Sequence, residues 1–224
     1  MNDRQRLPPL PDLARTLYTA VLSDVLDEAG FMSQALKPFV RPLDETSVMC
    51  GFARTGLYRK VYHVEPGRNP YEIEMDLIDS LAPGEVAVLA CDGPTDRIAP
   101  WGELLTTAAS IRGAAGCLTD GLVRDVRRIR EMRFPVFAGG IGPLDSKGRA
   151  EMAAMDIAVE VAGVRIEPGD LIFGDVDGCV AIPKAVAPQV VARALEKVTA
   201  EDRTRDALAA GESLRQVFER FGVL

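Results

Sequence analysis

Short apolar runs alternate with helical segments between residues 85 and 138, and this alternation constrains the fold more than any other feature. Apolar runs that predict buried strands occupy residues 86–90, 117–119 and 135–138. Helices are predicted between them, over residues 103–112 and 126–132. Strands that alternate with helices in this way are typical of an α/β core. The sequence therefore predicts an α/β fold.

Turn signals continue the β structure beyond this core. Several β segments are expected between residues 157 and 183, separated by Gly163 and by turns at 168–170 and 177–178. This part of the chain therefore adds strands without intervening helices.

The region before the core is predicted to be mainly helical. Asp12 is expected to cap one helix that ends at Gly30, and a shorter helix is expected over residues 72–81. Residues 63–72 have the composition of a loop, and the proline-rich residues 1–11 that of an exposed lead-in. The chain from 1 to 224 is interpreted as a single domain.

The C-terminal segment, residues 188–224, is predicted to be a helical extension. Its first part carries an apolar face formed by Val190, Val191, Ala194, Leu195 and Val198. Beyond Val198 the apolar stripe stops, although helix-forming residues continue to Gly211. Such a helix is either solvated or packed against another subunit. Ser213 and Gln216 then have the spacing of a capping box for a final short helix.

Charge and hydropathy exclude several classes of partner. The chain has 26 basic and 33 acidic side chains, a net charge of -7, which argues against binding to nucleic acid or to anionic lipid. The sequence contains no apolar run near the roughly 18 residues of a membrane span. The amino terminus has no apolar signal core, so a cytoplasmic protein is expected.

Histidine and cysteine usage narrows the kinds of metal site. His63 is the only histidine, so a zinc site with two histidines is excluded. The four cysteines are isolated from one another in sequence, which favours reduced, buried thiols: Cys50, Cys91, Cys117 and Cys179. A bound metal would therefore be a hard cation held by carboxylates and water.

The densest polar group is formed by Asp120, Gly121, Arg124 and Asp125, between a predicted strand and a predicted helix. In an α/β core, ligands usually bind at such positions. The alternative is structural: Asp120 and Gly121 make a turn, Asp125 caps the next helix and Arg124 pairs with a carboxylate.

A second candidate site is the start of the helix predicted at residue 103. Trp101, Gly102, Glu103, Leu104 and Leu105 follow a proline, and the first amides of a helix can bind a carboxylate. An ordinary helix start with leucines in the core is the alternative. The glycine-rich residues 137–143 resemble a phosphate loop only superficially, because Pro143 follows and no helix begins there, so a tight turn is expected.

Four segments together resemble the RraA-like aldolase superfamily: WGELL, AAGCLTDGLVRDV, FPVFAGGIGP and VAGVRIEPGDLIFGDVDGCVAIPK. That superfamily contains 4-hydroxy-4-methyl-2-oxoglutarate aldolases, oxaloacetate decarboxylases and regulators of ribonuclease E activity. The resemblance covers roughly residues 12–222. It implies a compact αββα-type swivelling-domain fold with a central β-barrel, assembled as a homotrimer or homohexamer with active sites between subunits.

The resemblance also implies which residues bind the substrate. Arg124 would bind the carboxylate of a pyruvyl group, assisted by Gly102 and by the backbone amides of Leu104 and Leu105. An arginine suits this role because its guanidinium binds a carboxylate with two parallel hydrogen bonds.

A divalent metal, Mg²⁺ or Mn²⁺, is implied as the cofactor. Asp125 would hold it, mostly through waters, and Glu103 would contribute to the same shell. A glutamate from the C-terminal helix of a neighbouring subunit would complete that shell. Glu201 is the first choice for this glutamate, and Glu196 the second.

The implied reaction is metal-dependent cleavage of a carbon–carbon bond in a 2-oxo acid. Retro-aldol cleavage of 4-hydroxy-4-methyl-2-oxoglutarate and decarboxylation of oxaloacetate both give the enolate of pyruvate, whose negative charge a cation stabilises. In the retro-aldol reaction, a water oriented by Glu103 would take the proton of the 4-hydroxyl group. We therefore expect Arg124, Asp125 and Glu103 to be catalytic.

Two alternatives stay open. A non-catalytic, protein-binding regulator of a ribonuclease would share the DGxxRD motif, but WGELL and the glutamate-bearing C-terminal helix favour the enzyme. A lyase acting on a different 2-oxo acid is the second alternative, because the segment EPGRNPYEIEMD departs from the common pattern of the family. The half of the pocket away from the pyruvyl group is therefore expected to differ.

Overall fold

Helices and short strands alternate along residues 7–222, which are the residues that the computed structural model describes. The helices are α1 Leu10–Thr16, α2 Thr19–Glu28, α3 Glu72–Asp79, α4 Glu103–Ile111, α5 Val126–Met132, α6 Ala187–Ala209 and α7 Leu214–Phe221. The first six strands are β1 Arg41–Pro42, β2 Met49–Lys60, β3 Glu85–Ala90, β4 Gly116–Thr119, β5 Leu122–Val123 and β6 Val136–Ala138. The other six are β7 Gly140–Ile141, β8 Ala150–Met155, β9 Val159–Val161, β10 Val164–Ile166, β11 Leu171–Asp175 and β12 Gly178–Ile182.

One eight-stranded sheet forms the centre of the molecule. Its order is β1-β6-β4-β3-β2-β11-β12, and β8 pairs with β2 as well. Strands β2, β3, β4 and β6 are parallel to one another, whereas β1, β8, β11 and β12 add antiparallel pairs. The parallel strands β3 and β4 end at the same edge, so the loops after Ala90 and Thr119 lie near each other.

Residues 34–41 bring the two ends of this sheet together. Leu36 N donates to Cys179 O of β12 at 3.0 Å, and Arg41 Nη1, in β1, donates to Asp177 O at 2.8 Å. The sheet is therefore a nearly closed barrel. This confirms the predicted α/β architecture with a central barrel-like sheet and a long C-terminal helix.

The two faces of the sheet carry different parts of the core. In β3, Val86 and Val88 pack in one cluster with Phe137 and Ile172, as expected for side chains that alternate between faces. Leu89 packs in a second cluster with buried side chains from α3, α4 and α5. All six β3 residues are buried, which is typical of a parallel strand covered on both faces.

The N-terminal helices and α6 make a third cluster against β11 and β12. This cluster includes Leu22 and Leu26 of α2, Phe173 of β11 and Val191 of α6. The long C-terminal helix is thus anchored to the barrel by its first half. Among the described residues, no helix is long and apolar enough to cross a membrane.

The prediction of one helix from Asp12 to Gly30 is wrong. The chain forms two helices, because Leu17 is extended (φ −93°, ψ 162°) and interrupts the hydrogen bonding between α1 and α2. Pro9, not Asp12, holds the N-cap position of α1. Residues 1–6 of the predicted lead-in, 1–11, are outside the described part of the chain. Helix α1 begins at Leu10, within the remainder of that lead-in.

The apolar stripe of α6 does not stop completely at Val198. Thr204 and Ala207 are also buried in the second half of the helix, where α7 packs against it. Small and polar residues make this face, so the sequence pattern did not reveal it. The capping box of α7 is confirmed, since Ser213 accepts from Gln216 N and the Gln216 side chain accepts from Ser213 N.

Candidate functional site

The two motifs singled out in the sequence lie side by side. Trp101 forms a parallel bridge with Val123 of β5, and Arg124 N donates to Trp101 O at 3.0 Å. These contacts place Gly102, the N-cap of α4, against Arg124 and Asp125. The site is thus built where β5 leads into α5, next to the start of α4.

Asp125 turns its carboxylate toward α4. The residue holds the N-cap position of α5 in the left-handed conformation (φ 58°), yet its side chain makes no capping bond to that helix. Its Oδ2 instead accepts from Glu103 N at 3.2 Å, and Arg124 Nε lies 3.7 Å from the same oxygen. The structural alternative for Asp125 is therefore wrong about which helix the side chain caps.

The first turn of α4 leaves backbone amides for a ligand. Helical bonding begins with Thr106 N, which donates to Gly102 O at 3.0 Å. Asp125 accepts from Glu103 N, and the amides of Leu104 and Leu105 precede the first intrahelical donor. The Leu104 side chain is 75% exposed, whereas Leu105 packs against the core. These amides add to the positive end of the helix dipole beside Arg124.

A pocket of about 320 Å³ opens in front of these groups. The substrate-binding residues expected from the sequence, Gly102, Leu104, Leu105 and Arg124, all line it, as does Asp125. Glu103 begins the same helix turn, and its Oε1 accepts from Thr107 Oγ1 at 3.0 Å. The structure therefore brings these five residues of the two motifs to one pocket, whereas neither Glu103 nor Asp120 is among the described residues that line it.

Asp145 and Tyr71 hold Arg124 from the far side, and sequence reasoning missed both. Arg124 Nη1 lies 3.4 Å from Asp145 Oδ1, and the Tyr71 hydroxyl donates to Asp145 Oδ2 at 2.6 Å. Burial and the bond to Asp145 raise the pKa of Tyr71 to about 12, so its hydroxyl stays protonated. The two residues come from loops 74 positions apart, and neither belongs to a motif.

Glu74 is a third pocket residue that the sequence analysis missed. It is 8% exposed, and the Tyr58 hydroxyl donates to its carboxylate. Burial raises the pKa of this carboxyl, and the nearby Asp145 charge adds to the rise. Its position in α3 offered a signal, because Glu74 shares the buried helix face of Leu77 and Ile78.

Asp120 holds together the loops that lie behind the site. Its Oδ1 accepts from Cys91 N at 2.8 Å, and its Oδ2 accepts from Ala162 N at 3.5 Å. Burial raises the pKa of Asp120, and these backbone donors oppose the rise. The side chain ties the β4 turn to two other loops, which agrees with the structural alternative for this residue.

The glycine-rich segment also supports the site. A Cβ at Gly139 would lie 2.6 Å from Asp120 O, and Gly140 pairs with Leu122 in a parallel register. The segment runs from β6 through a bend at Gly139 into β7, alongside β4 and β5, so the predicted tight turn is wrong. His63 lies elsewhere, in a depression shared with Arg59, Arg68 and Glu151.

The two C-terminal glutamates are outside this pocket in the single chain. Glu201 accepts from the Tyr18 hydroxyl and lies 3.3 Å from Arg205 Nη2, in the second half of α6. Glu196 is paired with Arg193 at 3.2 Å. A role for either glutamate in the site of a neighbouring subunit stays a prediction.

The residues at the pocket fit a hard divalent cation with few protein ligands. Within residues 7–222, no cluster of three or more His, Cys, Asp or Glu side chains could hold a metal. The Asp125 side chain is 46% exposed and offers one carboxylate oxygen that accepts no hydrogen bond from the described part of the chain. Mg²⁺ commonly keeps several waters and takes one or two carboxylates, so Asp125 suits it.

Relatives of known sequence resemble the chain over most of its length. A protein of Halalkalibacterium halodurans named "Putative 4-hydroxy-4-methyl-2-oxoglutarate aldolase" is 32% identical over 192 residues, covering 86% of this chain and 84% of the relative. Protein DlpA of Legionella pneumophila is 31% identical over 215 residues, 95% of this chain. The chain spans only 34% of the length of DlpA.

Solved structures share the fold. An uncharacterized protein from Pseudomonas syringae pv. tomato superposes with a TM-score of 0.80 at 30% identity, over 92% of this chain and 94% of that chain. Streptomyces coelicolor RraAS2, an unusual member of the RNase ES inhibitor RraA protein family, gives a TM-score of 0.76 at 27% identity. That match covers 89% of this chain and 98% of RraAS2.

The model of the RraA-like family, described as aldolase/RraA, matches residues 19–181. This range includes β2 through β11, α4, α5 and every pocket residue described above. The chain therefore belongs to the RraA-like family.

Proposed function

We propose that the chain is a carbon–carbon lyase that releases pyruvate from a 2-oxo acid. The candidate reactions are retro-aldol cleavage of substrates like 4-hydroxy-4-methyl-2-oxoglutarate, decarboxylation of oxaloacetate, and cleavage of a different 2-oxo acid. The observation that carries this proposal is the meeting of Arg124, Asp125 and the first amides of α4 at one pocket. Relatives named as aldolases support it.

Arg124 binds the carboxylate of the substrate in this proposal. Its side chain is 35% exposed and lies at the pocket wall, held by Asp145 on one side and Asp125 on the other. The Leu104 and Leu105 amides donate to the same end of the substrate. A 2-oxo acid is thereby oriented with its keto oxygen toward Asp125.

Cleavage breaks the bond between C3 and C4. The 4-hydroxyl loses its proton as C4 becomes a carbonyl, and the electron pair of the broken bond moves into the pyruvate enolate. Glu103 holds the water that takes this proton, and C3 is then protonated to give pyruvate. Decarboxylation of oxaloacetate gives the same enolate without removing a hydroxyl proton.

A Mg²⁺ or Mn²⁺ ion, when bound, would supply a Lewis acid that stabilises negative charge on the keto oxygen. Asp125 would hold it with waters. Glu103 and a glutamate of a neighbouring subunit, Glu201 or else Glu196, would orient those waters. This proposal requires a homo-oligomer, a trimer or a hexamer, in which α6 reaches the site of the adjacent subunit.

A non-catalytic regulator of a ribonuclease is the second candidate. The likeness to Streptomyces coelicolor RraAS2 favours it, because that protein belongs to the RNase ES inhibitor RraA family. The two candidates make opposite predictions about turnover, so one assay separates them.

The test is pyruvate release from a panel of 2-oxo acids with Mg²⁺, repeated with EDTA. The panel contains oxaloacetate, 4-hydroxy-4-methyl-2-oxoglutarate and simpler 4-hydroxy-2-oxo acids, and the metal-only rate is subtracted. We expect EDTA-sensitive pyruvate release that Arg124→Ala abolishes and that loses its metal dependence in Asp125→Ala. Folded variants with wild-type rates would contradict the assigned site, and no pyruvate from the whole panel would favour the regulator.

A further inference from the structure

The charges around the pocket are unbalanced. Among the described residues that line it, three are carboxylates, Glu74, Asp125 and Asp145, and Arg124 is the one cationic side chain. The segment that departs from the common family pattern supplies Tyr71, Glu74 and Met75 to this wall. The unusual segment and the acidic wall are thus the same structural feature.

The single guanidinium is already shared between two of these carboxylates. Arg124 Nη1 lies 3.4 Å from Asp145 Oδ1 and its Nε lies 3.7 Å from Asp125 Oδ2. One substrate carboxylate can still be recognised, because Arg124 is partly exposed and the α4 amides assist it. A second carboxylate would face Glu74 and Asp145, and the described residues of this chain offer no further cationic side chain at the pocket lining to pair with it.

Glu74 offers no positive charge in either protonation state. Its carboxyl accepts from the Tyr58 hydroxyl inside the wall, so it is fixed in place and cannot swing away into solvent. Met75, Ala99 and Pro100 make the neighbouring surface of the pocket apolar. This wall therefore suits an alkyl or hydroxyl group.

We infer that the substrate is a 4-hydroxy-2-oxo monocarboxylic acid whose C4 carries an uncharged substituent, selected by the Tyr71–Glu74–Met75 wall. This inference rests on the proposed lyase function and narrows its substrate class. Cleavage of the C3–C4 bond then gives pyruvate and a neutral aldehyde or ketone, with the 4-hydroxyl proton transferred through water to C3. Substrates with a second carboxylate, including oxaloacetate, are poor by comparison.

A matched pair of substrates tests this selection. The compounds 4-hydroxy-2-oxopentanoate and 4-hydroxy-2-oxoglutarate differ only in a methyl group against a carboxylate at C4. We expect kcat/KM for pyruvate release to be higher for 4-hydroxy-2-oxopentanoate by about tenfold or more, since like charges in a pocket repel. Equal rates, or faster cleavage of 4-hydroxy-2-oxoglutarate, would overturn the inference.

Glu74→Gln tests the wall itself, because it removes the charge and keeps the shape and the acceptor for Tyr58. In this variant we expect the ratio of kcat/KM for the monocarboxylate to kcat/KM for the dicarboxylate to fall by about threefold or more, because the dicarboxylate is cleaved faster. Glu72→Gln is the control, since Glu72 is exposed on the same helix, and its ratio should equal the wild-type ratio. An unchanged ratio in Glu74→Gln would overturn the role of the wall.

A binding measurement separates this inference from the lyase proposal. Trp101 is the only tryptophan of the chain and lines the pocket, so its fluorescence reports a ligand there. The pair 2-oxopentanoate and 2-oxoglutarate lacks the 4-hydroxyl and cannot undergo retro-aldol cleavage. We expect tighter binding of 2-oxopentanoate, and tighter binding of 2-oxoglutarate would overturn the charge selection. Absence of pyruvate from every substrate would instead overturn the lyase.

Discussion

Gly102 occupies a position where the site leaves no room for a side chain. A Cβ built there would lie 2.8 Å from Asp125 Oδ2 and 3.1 Å from Arg124 Nε. Both atoms belong to side chains that can move, so an added methyl group would displace the functional groups and leave the fold intact. Gly102 thus sets the geometry of the two residues that carry the proposal.

We therefore predict that Gly102→Ala lowers kcat/KM for pyruvate release by roughly a hundredfold, as expected when a catalytic group is displaced by about an ångström. The free energy of unfolding should fall by less than about 1 kcal/mol, the scale of an N-cap change. Ser110→Ala, at the exposed far end of the same helix, is the control. It should have the wild-type kcat/KM and the wild-type free energy of unfolding. A large loss of stability in Gly102→Ala would contradict this explanation.

Glu74 makes stability depend on pH. Its ordinary pKa is 4.5 and burial raises the value in the folded chain, so ionisation of Glu74 costs stability. Below 4.5 the group is protonated in both states, and this cost is absent. The loss of stability begins as the pH rises above 4.5 and is complete once the pH has passed the raised pKa of the folded chain.

We expect Glu74→Gln to be more stable than the wild type near neutral pH, with a gain that disappears in acid. Denaturant unfolding of both proteins across this pH range measures the difference in the free energy of unfolding. A difference that is independent of pH would show that Glu74 is not the titrating group.

Some site residues could be predicted from sequence and others could not. Arg124, Asp125 and Gly102 lie in contiguous motifs, where chain connectivity alone places them near a strand end. Tyr71 and Asp145 reach Arg124 from separate loops, and their approach depends on tertiary packing that no local pattern encodes. Charge balance in the pocket therefore became visible only in the structure.

At the scale of elements, the residues that begin and end a helix decided which predicted bounds were correct. The helix α5 has the predicted bounds, Val126–Met132, because a turn precedes it and a left-handed residue, Arg133, ends it. The break between α1 and α2 was missed because Leu13, Leu17 and Val21 continue one apolar period across it. Periodicity identified the buried face correctly and could not locate the extended residue.

The final helix is a second element whose stability can be tested. Helix α7 is fixed by the Ser213 capping box and by the fully buried Val217. We predict that Ser213→Ala destabilises α7 by about 1 kcal/mol, seen as faster amide hydrogen exchange over residues 214–221. Ser213→Asp keeps a capping oxygen and should exchange like the wild type. Equal exchange in all three proteins would contradict a stabilising cap.

At the scale of the whole molecule, the proposal places residues of two subunits at one site. If Arg124 of one subunit and Glu201 of the next form a site together, then Arg124→Ala and Glu201→Ala subunits complement each other. Co-expression of the two inactive variants should restore roughly a quarter of wild-type activity, from random mixing around a symmetric ring. Activity that stays at the level of the single variants would place Glu201 outside the site.

The position of β2 has a consequence for how the chain folds. This strand pairs with β3 along one edge, and with β11 and β8 along the other, although β11 begins only at Leu171. During synthesis, one edge of β2 stays unpaired until those distant strands have been made. Contacts so far apart in sequence slow folding, and an open strand edge invites association between nascent chains. Fragments that end before Leu171 should therefore aggregate, and this barrel should close late in folding.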